Sequence, residues 1–163
     1  MVLALQTLKI STRQDNDLTM YSLRKSTSAD AEFAYDTINT TMRNYALQTW
    51  GVWLDEQARQ DAREGTHSGS IQIICVGKNR AGTVQWLNTD TEIRLKQLYI
   101  LPPYQNKGIG GRIIDELKNE ANEKVISIVM SVLQINRAKG FYIKKGFSVT
   151  DESAERVQMR YKP

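Results

Sequence analysis

The chain has 163 residues, 40% apolar and 25% charged, with a formal charge of +4 and a pI near 9.2. That length suits one domain with a proper core. The mild basicity leaves room for an anionic ligand and is too small to argue for nucleic acid. A single cysteine, Cys75, excludes an internal disulfide, and with a single histidine, His67, a zinc site is not expected. No run approaches the roughly 20 apolar residues of a membrane span. The first five residues are too short an apolar stretch, without a basic lead-in, for a signal peptide, so a cytoplasmic protein is expected.

Residues 1–19 have no clear period and read as a loosely attached extension of a domain over residues 20–163. Tyr21 to Lys25 forms the first convincing strand. Thr27-Ser28-Ala29-Asp30 is a capping signal for a helix over residues 31–47, whose apolar face is Ala34, Tyr35, Ile38, Met42 and Tyr45. The link through Trp50, Gly51 and Trp53 breaks that helix, and a more polar one follows over residues 54–63. A glycine-bounded loop then holds His67 in solvent. Three strands, over residues 71–76, 81–87 and 92–101, are joined by tight turns into an antiparallel meander, with Cys75 as a core thiol.

Pro102 and Pro103 end the third strand, and a helix with Ile113, Ile114, Leu117 and Ala121 as its buried stripe runs from Gly108 to about Asn122. Residues 125–132 are a β-branched run, hence a buried strand parallel to the one before that helix. A short helix over residues 136–145 ends at Gly146, and residues 147–150 and 156–161 make a final hairpin. The order β-α-α-β-β-β-α-β-α-β-β describes an α+β fold with a mixed, mostly antiparallel central sheet and helices on both faces.

Between the third strand and its helix lies Gln105-Asn106-Lys107-Gly108-Ile109-Gly110-Gly111. A strand feeding a glycine turn at a helix start leaves backbone N–H groups free and pointing one way, and the helix dipole adds partial positive charge. Lys107 and Arg112 reinforce the sign, so the turn reads as an anion site. It lacks the Gly-Lys-Ser/Thr ending of a P-loop. It also lacks the third glycine or alanine of a dinucleotide fingerprint, that position being Ile113.

What remains, Gln-x-x-Gly-x-Gly after a strand, resembles the acyl-CoA pyrophosphate loop of the GNAT superfamily of N-acetyltransferases. After the next strand, Asn136-Arg137-Ala138, then Phe141-Tyr142, then Lys144-Lys145-Gly146-Phe147 resemble the second signature of the same superfamily. Two motifs in the right order and on the right elements extend the resemblance over residues 21–163.

The resemblance implies a GNAT-like fold and an acetyl-CoA-dependent N-acetyltransferase acting on a primary amine, in a ternary complex and without a metal. Asn106, Lys107, Gly108, Ile109, Gly110 and Gly111 would bind the CoA pyrophosphate, with Gln105 shaping the turn and Arg112 opening the helix. Leu98, Tyr99 and Ile100 would carry the pantetheine as an added strand, with Asn136 holding the pantetheine or the loop; the family opens the sheet there with a bulge. Lys139, Lys144 and Lys145 would be within reach of the phosphates, with a solvated helix face as the role of at least two of them. Tyr142 matches the family's general acid. Relatives carry a base near Arg94, which makes Glu92, on the same strand face, the nearest acidic candidate. Trp50 and Trp53 are candidate walls for the acceptor, with Asp55 and Glu56 as acids beside it. A homodimer is in keeping with the superfamily. A non-catalytic acyl-CoA sensor and a nucleic-acid-binding protein are the competing classes.

Overall fold

The computed structural model describes residues 20–163; the expected extension over residues 1–19 lies outside them. The elements are β1 (Tyr21–Lys25), α1 (Ala31–Trp50), α2 (Asp55–Ser68), β2 (Gln72–Val76), β3 (Asn79–Asn88), β4 (Glu92–Ile100), α3 (Ile109–Lys124), β5 (Ser127–Leu133), α4 (Ala138–Lys144), β6 (Ser148–Glu152) and β7 (Arg156–Tyr161). Short 3-10 turns precede α1, at Ser28–Asp30, and follow β4, at Pro102–Tyr104. The order of elements is the one expected, and the fold is α+β.

The strands form one seven-stranded sheet in the order β1-β2-β3-β4-β5-β7-β6. Every neighbouring pair is antiparallel except β4 and β5. α1 and α2 cover one face through Ala34, Tyr35, Ala58 and Ala62 against Ile71 and Ile73. α3 covers the other with Ile113, Ile114, Leu117 and Ala121, none more than 1% exposed. Complete burial of each branched side chain stabilises the fold by roughly 2 kcal/mol. That stripe fixes how α3 sits on the sheet and hence where its N-terminus points.

Four boundaries differ from the sequence expectation. α1 continues to Trp50 and ends on Gly51. α2 runs on to Ser68, so His67 is helical, its Nδ1 3.1 Å from the Ser28 hydroxyl, and not a loop residue. The glycine that suggested a break, Gly65, is kept inside the helix by close packing: a Cβ there would fall 2.4 Å from Ile71 Cδ1. β5 begins at Ser127 because Val125 takes a left-handed conformation, φ 53°, at the end of α3. The short helix begins at Ala138, with Asn136 and Arg137 ahead of it.

One irregularity opens the sheet. Gln97 pairs with Gln85 and Leu95 with Trp86, so Lys96 is an extra residue in β4, a β-bulge. β5 pairs with β4 only at Glu92, Ile93 and Arg94 of that strand, and pairs with β7 from Ile128 to Leu133. Beyond Arg94 the edge of β4 therefore has no strand beside it among the described residues. The extra residue also shifts the side-chain alternation, so that Gln97 and Tyr99 share the α1/α2 face with Glu92 and Arg94.

Candidate active site

The parting of β4 from β5 leaves a groove of about 1990 Å³ that crosses the sheet, with α1 and α2 above it and the start of α3 at one end. Leu98, Tyr99 and Ile100 form one side, and Met130, Ser131 and Val132 the other. Backbone groups along an unpaired edge are free to bond an extended amide chain.

The turn into α3 is built from local constraints. Gln105 Nε2 donates to the Ile100 carbonyl at 2.8 Å, folding the chain back on the strand end. Asn106 and Gly108 are both left-handed, at φ 58° and 80°. At Gly108 that conformation favours a residue without a Cβ. Gly108 caps α3 by its carbonyl, which accepts from Arg112 N at 3.0 Å. No side chain caps this helix. The N–H groups of Ile109, Gly110 and Gly111 precede the first intrahelical bond and face the groove, the geometry of an anion site.

Cations around the turn are distributed unequally. Lys145 lines the groove and is paired with Asp115 at 2.8 Å. Arg112 and Arg137 line it too. Lys107 instead lies near the Tyr104 ring, and Lys139 is paired with Glu152; neither lines the groove. Asn136 lines the groove and its Oδ1 accepts from Ala138 N at 2.9 Å, holding the start of α4.

Tyr142 on α4 is 5% exposed, wedged edge-on between Phe141 and Phe147 with its ring beside the groove. Burial pushes its phenol above the ordinary value, and the nearby Tyr99 phenol adds to the shift. Tyr99 is raised to about 12, by burial first, with the charge of Arg156 pulling the other way. Both phenols thus stay protonated through the neutral range and act as hydrogen-bond donors.

The acidic residues picked from the sequence stand elsewhere. Glu92 is held by Arg94 at 2.7 Å and by Arg160 at 3.6 Å, on the part of β4 that is still paired with β5, and does not line the groove. Asp55 is consumed by the Tyr35 hydroxyl, Trp53 Nε1 and Arg59. Glu56 is exposed and outside the groove. The tryptophans do reach it: Trp50 and Trp53 both line the α1/α2 side, Trp53 fixed by its bond to Asp55.

Gln97 and Arg156 are among the lining residues that the sequence does not point to. Gln97 faces the groove because of the bulge, and its buried Nε2 has no partner among the described residues. Arg156 opens β7, and its guanidinium lies 5.2 Å from the Trp50 ring centroid. Neither carries a local signal: a bulge and a contact between distant elements leave no periodic trace. Among the described residues no cluster of three or more His, Cys, Asp or Glu could hold a metal. No described helix is long and apolar enough to cross a membrane.

Fold and groove together define an acyltransferase. The acetyltransferase (GNAT) domain family matches residues 38–163, and the chain belongs to that family. No curated protein matches the sequence. Solved structures share the fold at low identity. PaiA N-acetyltransferase from Thermoplasma acidophilum, in complex with coenzyme A, is 20% identical with a TM-score of 0.66, over 88% of this chain and 99% of its own. An acetyltransferase from Thermus thermophilus is 18% identical with a TM-score of 0.70, over 90% and 98%. Naa50 from Arabidopsis thaliana, in complex with a bisubstrate analogue CoA-Ac-MVNAL, is 16% identical with a TM-score of 0.63, over 88% and 99%.

Proposed function

We propose that the protein is an N-acetyltransferase that moves an acetyl group from acetyl-CoA directly to a primary amine in a ternary complex. The observation that carries the reading is the free edge of β4 at Leu98, Tyr99 and Ile100, running straight into an uncapped helix start. A phosphate-bearing thioester with an amide-rich arm needs those two features in that order. The N–H groups of Ile109, Gly110 and Gly111 receive the pyrophosphate, with Lys145 and Arg112 adding charge. The β4 edge receives the pantetheine arm.

When bound, acetyl-CoA supplies the thioester carbonyl that the amine attacks and the thiolate that leaves. A backbone N–H of the β4 edge donates to the carbonyl oxygen, where negative charge develops. Tyr142, buried and protonated, gives its proton to the departing sulfur as the C–S bond breaks and the C–N bond forms. The proton shed by the amine passes to water in the open groove, and Tyr142 regains its own proton from that water, so the residue ends the cycle as it began. Glu92 has no part in this step, since it is bound to two arginines outside the groove. Trp50, Trp53 and the α1 residues Met42 and Tyr45 wall the acceptor side.

Mixing the protein with acetyl-CoA and a panel of amines, amino acids and peptides tests the proposal through release of free CoA thiol and the mass of the product. Turnover with at least one amine is expected. Tight binding of acetyl-CoA with no acetylated product from any acceptor would mark an acyl-CoA sensor on the same fold.

A further inference from the structure

The acceptor side of the groove is electrically polarised. At the α2 end stand Asp61 and Glu64, whose carboxylates accept from Gln57 and Gln60. On the β7 side of the lining stands Arg156, next to Leu133 of β5 in the sheet register. No carboxylate among the described residues pairs with Arg156, whereas Lys145 is paired with Asp115. Its contact is the indole of Trp50. Such a contact places the exposed guanidinium against an aromatic wall while leaving its N–H fork open to water or a ligand.

A second donor seeks an oxygen on the same face. Gln97 Nε2 is buried in the groove lining with no hydrogen-bond partner among the described residues. A buried unpaired amide donor is costly, and a ligand oxygen or an ordered water would relieve it. Tyr99, two residues along β4 from Gln97 and on the same face, is close enough to Arg156 to feel its charge, and lies beside the edge that would present the thioester. A planar anion with two oxygens suits a guanidinium fork against an aromatic wall better than any neutral group does.

Resting on the acetyltransferase reading above, we propose that the acceptor amine carries a carboxylate, which docks on Arg156 against Trp50. The substrate class is then amino acids and other amines bearing an acid group, rather than simple or polycationic amines. Arg156 is a specificity-determining residue; it takes no part in bond making.

The test compares glycine, β-alanine and longer ω-amino acids with their carboxamides, and with diamines of matched length. Each is measured twice: as a ligand, by calorimetry on CoA-saturated protein, and as an acceptor, by turnover. At least one acid is expected to bind and react about tenfold better than its carboxamide, the worth of one charge-assisted fork. Arg156→Gln should abolish that preference while leaving the KM for acetyl-CoA unchanged. Arg156→Lys should restore part of it, since charge returns without the fork. Equal use of acid and carboxamide, preference for a diamine, or equal weakening of both ligands in Arg156→Gln overturns the inference while leaving the transferase reading intact. Acids that bind through Arg156 and are never acetylated overturn the transferase reading and leave the docking site standing.

Discussion

Lys145 Nζ donates to Asp115 Oδ2 at 2.8 Å, and this ion pair runs alongside the glycine turn: the ammonium lies 3.2 Å from where a Cβ on Gly111 would sit. The lysine comes from the end of α4 and the aspartate from the first turns of α3, so the second sequence motif is tied to the first. The cation is thereby held where a pyrophosphate is expected, with its charge partly offset.

Opposite changes at the two partners should therefore have opposite effects. Lys145→Ala is expected to raise the KM for acetyl-CoA roughly fivefold, the worth of one partly exposed charge. Asp115→Asn should lower it, because the carboxylate repels the phosphates. Initial rates at low and high salt check the cause, since both effects shrink as ions screen the charges.

Tyr142 makes a prediction about pH. Its phenol is raised above its ordinary value near 10 by burial first, so the protonated form persists to higher pH than in a free tyrosine. A proton donor of this kind gives no alkaline decline in kcat below about pH 10. Tyr142→Phe should cut kcat by about a hundredfold with the KM for acetyl-CoA nearly unchanged. A decline near neutral pH that vanishes in Tyr142→Phe would show that the phenol ionises earlier than its burial implies, whereas an unchanged kcat in Tyr142→Phe would show that it is not the donor.

The donor half of the groove is far more legible in the sequence than the acceptor half, for a physical reason. A helix start on Gly108, the stripe Ile113-Ile114-Leu117 and the block Asn136 to Phe147 are local patterns, each set by backbone conformation or by one face of one helix. The acceptor half depends on relations between distant segments. Lys96 is an unpaired extra residue only with respect to the register of β3, and that bulge turns Gln97 and Tyr99 toward α1. Arg156 meets Trp50 only because β7 inserts between β5 and β6. Glu92 shares its strand face with those residues; its pairing with Arg94 is local, but its engagement by Arg160 depends on that same insertion. The sequence pattern ends α2 early because Gly65 looks like a breaker until Ile71 is seen to require it.

Asp30 connects the fold to acid stability. It is 4% exposed and takes two 2.8 Å bonds from Arg24, a 3.0 Å bond from Thr27 N and a longer one from Arg80. The Arg24 guanidinium holds its carboxyl well below the usual carboxylate range, against the opposing effect of burial. A depressed carboxylate contributes stability that is present above its unfolded pKa, near 3.9, and is lost as pH falls from there toward the folded value. Asp30→Asn should cost roughly 2 kcal/mol at neutral pH, less than a fully buried pair because both arginines are half-exposed. It should also flatten the loss of stability between about pH 4 and the acid transition, which urea unfolding at a series of pH values would reveal.

Val125 makes the last prediction, and its sign is opposite. It is 79% exposed, caps α3 at φ 53°, and gains no core contact in return for that conformation. A β-branched residue is disfavoured in the left-handed region, at a cost of about 1 kcal/mol, whereas glycine adopts it freely and is the commonest residue at this kind of helix end. Glycine also gives the unfolded chain more freedom, which offsets part of the gain. Val125→Asn avoids most of that loss while tolerating the same backbone angle. Both variants should raise Tm, with asparagine at least equal to glycine, and neither should alter the KM for acetyl-CoA, because the cap lies at the far end of α3 from Gly108. A fall in Tm for both would mean that the chain leaves α3 at Val125 in a different conformation.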